Sequence, residues 1–155
     1  MKKFILILMI FLCSSVQSFA MTEADAKSFF NNYIKKANTY SKDIESMYAP
    51  NAVIIRQVIK PNGELVNVYS NAQVYLKQMK ISEAVARAKN YKNYYSNIKI
   101  NKVANGYKIS AVRQPSGDTD KLKMYQIVKQ QPNKKIVIVE EMMQNRQQIF
   151  LKYAK

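Results

Sequence analysis

Three charged side chains interrupt otherwise apolar strand faces in this chain. Residues two apart in a strand share a face. Arg56 therefore joins Ala52, Ile54 and Val58, Arg113 joins Tyr107, Ile109 and Ala111, and Glu140 joins Ile136, Ile138 and Met142. If these faces line one interior, Arg56, Arg113 and Glu140 meet in or near a pocket, where Tyr107 and Tyr125 add ring area and hydroxyls. Arginine offers a carboxylate or phosphate a planar fork of donors. An apolar lining with a few polar anchors is the usual make-up of a small-molecule site. The competing reading leaves these charges at strand ends in water, or pairs Arg113 with Glu140 as a structural ion pair.

Much other chemistry is excluded. The chain has no His, and its one cysteine, Cys13, lies in the segment read below as an export signal. A serine–histidine triad, a cysteine–histidine pair and an ordinary zinc site are all out of reach. With three glycines in the whole chain there is no glycine-rich phosphate loop. Asp118-Thr119-Asp120 reads as turn chemistry, since calcium needs six to eight oxygens and no further acid stands nearby. No cofactor is expected. Tyr91, Tyr94 and Tyr95 form either a partner patch or packing beneath a helix.

The elements that must position these residues follow in a clear order. Thr22 and Asp25 have capping-box spacing ahead of Ala26, Phe29, Phe30, Tyr33, Ile34 and Ala37, an apolar helical face. A short helix begins at Ser41 and stops before Pro50. Ala52 to Ile59 is β-branched strand, Pro61-Asn62-Gly63 turns it, and Glu64 to Tyr69 returns. Ser70 and Gln73 cap a helix whose apolar set Ala72, Tyr75, Leu76, Met79 slips phase before Ile81, Ala84, Val85, Ala88, which predicts a break near residues 80–82. Four strands follow, at residues 97–104, 107–114, 121–131 and 135–144, joined by Asn-Gly and Pro-containing turns that favour antiparallel neighbours. The expected architecture is α+β, in the order α-α-β-β-α-β-β-β-β.

The N-terminus sets the address. Lys2 and Lys3 precede the apolar run Phe4 to Leu12 and the small-residue pattern Ser18-Phe19-Ala20, so residues 1–20 read as a cleavable signal peptide. The run is too short to span a bilayer, and no stable membrane span is expected after cleavage. Removing 20 of 155 residues leaves 135, enough for one domain at 21–146 with a basic tail at 147–155. Losing Lys2 and Lys3 lowers the formal charge from +15 to +13. Such a field attracts anions. In a periplasmic or secreted location, nucleic acid is a poor candidate and anionic envelope components are better ones.

The element order resembles the cone-shaped fold named after nuclear transport factor two, shared with ketosteroid isomerase and scytalone dehydratase. Three stretches carry the resemblance: Asp43 to Val53, Ile109 to Gln114, and Lys135 to Glu141, with Ile136 where the family often has tryptophan. It implies a curved antiparallel sheet wrapped around the N-terminal helices, with a pocket at the wide end. The isomerase's aspartate base and oxyanion hole find no counterparts here, and the dehydratase's histidine is missing. Three functions stand open: an exported non-enzymatic protein that binds a small amphipathic or anionic molecule; an envelope protein–protein module, which could homodimerise through the open sheet face; and an isomerase or dehydratase with Glu140 as base and Tyr107 or Tyr125 as acid. Their ligand contacts would come from Arg56, Arg113, Glu140, Tyr107 and Tyr125.

Overall fold

A computed structural model describes residues 20–154. The signal segment, but for Ala20, lies outside the described residues. Helix α1 (Glu23–Asn38) opens as its sequence dictates: the Asp25 amide donates to Thr22 Oγ1 at 3.2 Å, and the Thr22 amide donates back to Asp25 Oδ2 at 2.8 Å. The helix buries Ala26, Phe30 and Tyr33. A 3₁₀ helix (Lys42–Met47), capped by Ser41, leads directly into strand β1 (Tyr48–Ile59), which starts earlier than the β-branched run and passes through Pro50. Strand β2 (Leu65–Asn71), helix α2 (Ala72–Ala88) and strands β3 (Asn93–Val103), β4 (Gly106–Pro115), β5 (Leu122–Gln130) and β6 (Ile136–Asn145) complete the expected order, and a second 3₁₀ helix (Gln148–Tyr153) ends it.

One six-stranded sheet runs β2-β1-β6-β5-β4-β3. The hairpin-linked strands pair antiparallel, but β1 and β6 pair in parallel. The sheet is thus mixed where a wholly antiparallel one was expected. No hairpin joins β1 to β6, so turn chemistry could not reveal their direction. Helix α1 lies across the inner face, where Phe30 meets Tyr95 edge-on at 5.4 Å between centroids. Phe30, Ile54, Val58, Ile109, Met124, Val128 and Ile138 fill the core.

Three further expectations need correction. Helix α2 is continuous through residues 80–82, because its two apolar sets occupy different faces of one unbroken helix. Its cap is Asn71, whose Oδ1 accepts from the Val74 amide at 3.0 Å, in place of the Ser70 and Gln73 pair. The segment expected as a basic tail instead packs its 3₁₀ helix against β1 and β2.

The Asn105-Gly106 turn sets the start of β4. A Cβ at Gly106 would collide with the Val128 carbonyl oxygen on β5. Backbone cannot yield as a side-chain tip can. Gly106→Ala should therefore destabilise the fold by about 2 kcal/mol in urea denaturation.

Candidate ligand site

The ends of α1 and β6, the first 3₁₀ helix, α2 and the C-terminal 3₁₀ helix do not close on one another. They leave a cavity of about 780 Å³. Its apolar wall includes Ile44, Leu76, Met79, Met143 and Phe150, and Tyr33, Tyr75 and Tyr95 contribute rings with polar tips. Volume and lining both suit a small organic ligand.

Both arginines reach this cavity, with different duties. Arg113 is buried and largely occupied: it donates to Asn93 Oδ1 at 2.8 Å and to the Gln144 carbonyl at 2.8 Å, with a longer contact to Tyr91 Oη at 3.4 Å, while its Nε has no partner among the described residues. Asn93 exchanges two hydrogen bonds with Asn38 at the end of α1. Arg113 thereby ties β4 to β3, β6 and, through Asn93, α1. It is a clamp that forms part of the wall.

Arg56 is different. It enters from β1 beside Met143 of β6, and its guanidinium carbon lies 4.5 Å from the Tyr75 ring centroid and 5.9 Å from that of Phe150. Among the described residues it has no ion-pair partner. Burial opposes its charge, yet Tyr75, Glu141 and Tyr48 outweigh that effect and raise its pKa. The result is a permanent cation between two rings, open to the cavity.

Glu140 does not join the arginines. Between Ile138 and Glu140 the β5–β6 register shifts at a bulge, so that Ile138 faces Val128 while Glu140 faces Ile127. The extra residue reverses the alternation. Glu140 then points to the outer sheet face, where it accepts from Tyr125 Oη at 2.6 Å, and Lys108 Nζ stands 4.0 Å from the Tyr125 ring centroid. Burial, the bond to Glu140 and that carboxylate's charge raise the Tyr125 pKa. Tyr107 is partly buried against the core, and is six residues along β4 from Arg113, about 20 Å of strand. The base-and-acid arrangement of Glu140 with Tyr107 or Tyr125 is therefore not assembled in the cavity, and Arg113 has no ion pair with Glu140.

The inward acid is its neighbour. Glu141 is fully buried; its Oε2 accepts from Tyr48 Oη at 3.0 Å and from Gln126 Nε2 at 2.7 Å, while its Oε1 has no partner among the described residues. Burial raises its pKa, with Gln126, Arg56 and Tyr48 opposing. Burial, and then the nearby Glu141 charge, push the Tyr33 and Tyr48 hydroxyls well above their ordinary pKa. The sequence did hold a signal for this: in adjacent strand positions Glu140 and Glu141, one acid must face each way. Phe150, Tyr75 and the α2 wall were also missed as pocket residues. Among the described residues, no group of three His, Cys, Asp or Glu could hold a metal.

No family model matches the chain, and no curated protein matches it in sequence. Solved structures do match in shape. A protein of unknown function from Pseudomonas putida, described as nuclear transport factor two-like, superposes with a TM-score of 0.61 at 8% identity, covering 79% of this chain and 84% of its own. A similarly described protein from Shewanella oneidensis gives 0.59 at 15% identity, covering 81% and 100%. The β subunit of benzoate 1,2-dioxygenase from Burkholderia mallei gives 0.57 at 9%, covering 81% and 91%. At such identities the likeness speaks for architecture alone. Element order, sheet and cavity agree with it, and the chain has the cone-shaped fold of the nuclear transport factor two-like proteins.

Proposed function

We propose that this chain is an exported, non-enzymatic binding protein that holds a small amphipathic anion in the cone. The carrying observation is Arg56, a charged group stacked on Tyr75 and facing the cavity with no ion-pair partner among the described residues. A carboxylate or phosphate would complete it through the guanidinium fork. The apolar tail of the same molecule would cover Leu76, Met79, Met143 and Phe150. Export rests on the signal pattern of residues 1–20. Native mass spectrometry of protein purified from its own host tests the reading: it expects a retained acidic small molecule, and a neutral adduct or the bare chain mass speaks against it. Glu140→Gln, on the outer face, should leave the affinity for dodecanoate within about twofold of the parent by calorimetry, because distant substitutions act independently.

A second reading has an observation of its own. Val53, Leu65 and Tyr69 stand exposed on the outer sheet face, as a protein–protein module that pairs through that face would require. Sedimentation at high concentration separates the two: a strict monomer removes the homodimer.

A further inference from the structure

Helix α2 carries a second apolar face that none of the described residues covers. Ala72 and Tyr75 are buried and Leu76 and Met79 partly so, all toward the cavity and the sheet. At about 100° per residue, Val74, Ile81, Ala84, Val85 and Ala88 fall together on the opposite arc. Val74 is 45% exposed, Ile81 73% and Val85 57%. Lys77 stands within this arc and Lys80 beside it, the latter reaching Glu45 at 2.7 Å. The one acid of α2, Glu83, lies on the cavity side and is bridged to Arg87 at 2.8 Å. The outer arc therefore holds apolar residues and Lys77 and no carboxylate, while Lys80 at its edge is paired with Glu45.

We propose that this arc of α2 docks on an anionic lipid surface. An exposed apolar stripe flanked by lysines is the pattern of helices that lie in the plane of a membrane interface. Basic residues next to it are attracted by acidic headgroups. The whole chain adds to that attraction, with 25 basic residues against 10 acidic ones. The same excess works against a second copy: two such arcs would bring Lys77 and its surroundings against like charge. Docking is peripheral, since no helix among the described residues is long and apolar enough to cross a membrane. The inner face of α2 is a wall of the ligand cavity, so docking through the outer arc leaves the cavity one helix diameter from the lipid, a short path for an amphipathic anion. That last consequence rests on the anion-binding reading.

The chain contains no tryptophan, which makes a single introduced indole a clean reporter. Ile81→Trp and, on the outer sheet face, Tyr69→Trp are mixed with vesicles of equal parts phosphatidylglycerol and phosphatidylcholine. The Ile81→Trp emission should shift to the blue and be quenched by brominated lipid, while Tyr69→Trp does neither. Ile81→Gln with Val85→Gln keeps the charge and should weaken vesicle binding about tenfold or more, with unchanged circular dichroism because both positions are exposed. Equal binding by that double variant, an indole at 81 that stays in water while the protein sediments with vesicles, or no vesicle binding at all each overturns the proposal. Arg56→Gln should bind vesicles as the parent does, so a loss of ligand binding there bears on the cavity alone.

Discussion

Arg56→Gln should lower the affinity for dodecanoate by roughly 30- to 100-fold with only a modest fall in melting temperature. A hydrogen bond between charged groups contributes about 1.5–3 kcal/mol, and each 1.4 kcal/mol is about tenfold in binding. Shielding by the Tyr75 and Phe150 rings places this site toward the upper part of that range. The cost in stability is modest: the ring contacts with Tyr75 and Phe150 and the attraction to Glu141 are lost, but no salt bridge among the described residues is broken. Arg56→Lys should fall between the two, keeping the charge but losing the fork and the guanidinium's place over the Tyr75 ring. Arg113 provides the contrast. Removing it leaves Asn93 Oδ1 and the Gln144 carbonyl without a donor, so its loss should appear first as lowered stability. Isothermal titration paired with thermal melts distinguishes a binding residue from a clamp.

Glu141→Leu should destabilise the protein by about 3 kcal/mol, a drop in melting temperature on the order of 10 °C for a domain of this size. The substitution leaves the Tyr48 hydroxyl and the Gln126 amide buried without their acceptor. Glu141→Gln keeps an acceptor for both and should be much milder. The two also differ in pH dependence. Because the folded-state pKa of Glu141 is raised above its ordinary 4.5, the folded protein holds a proton that the unfolded chain has already released. By linkage, stability falls as pH rises from about 4.5 to the folded-state pKa, then levels off. Glu141→Gln should remove that decline. Asp25 and Glu64, whose pKa values are lowered by hydrogen bonds with Thr22 and Lys60, act at lower pH and in the opposite sense. Urea denaturation in steps across the acid range resolves the two trends.

Much of the fold was legible because local chemistry and global packing agree. The Thr22–Asp25 box, the apolar face of α1, the Pro61-Asn62-Gly63 turn and the Asn105-Gly106 hairpin each have a local cause that the tertiary structure does not override. The departures come where periodicity is ambiguous. Helix α2 has one apolar set for the core and one for its surroundings, and a count of apolar residues cannot tell a covered face from an open one. In β6 a single bulge residue moved the inward position from Glu140 to Glu141, a one-residue slip that reverses every later side chain. The strand alternation brought Arg56 and Arg113 to one cavity, yet it could not separate their duties. Asn93 and Gln144, which occupy Arg113, and Asn38, which holds Asn93, come from distant parts of the chain. Phe150, which completes the stack on Arg56, sits in a segment whose sequence reads only as a basic end.

Under the proposed function, the cavity selects an anionic head through Arg56 and an apolar tail through its walls. Calorimetric titration with dodecanoate and with dodecanol separates head from tail, since the two molecules share a chain and differ in charge. Saturable binding of one dodecanoate per protein is expected, with the alcohol weaker by roughly 30-fold or more. Equal affinity for acid and alcohol, or the absence of dodecanoate binding, would contradict it.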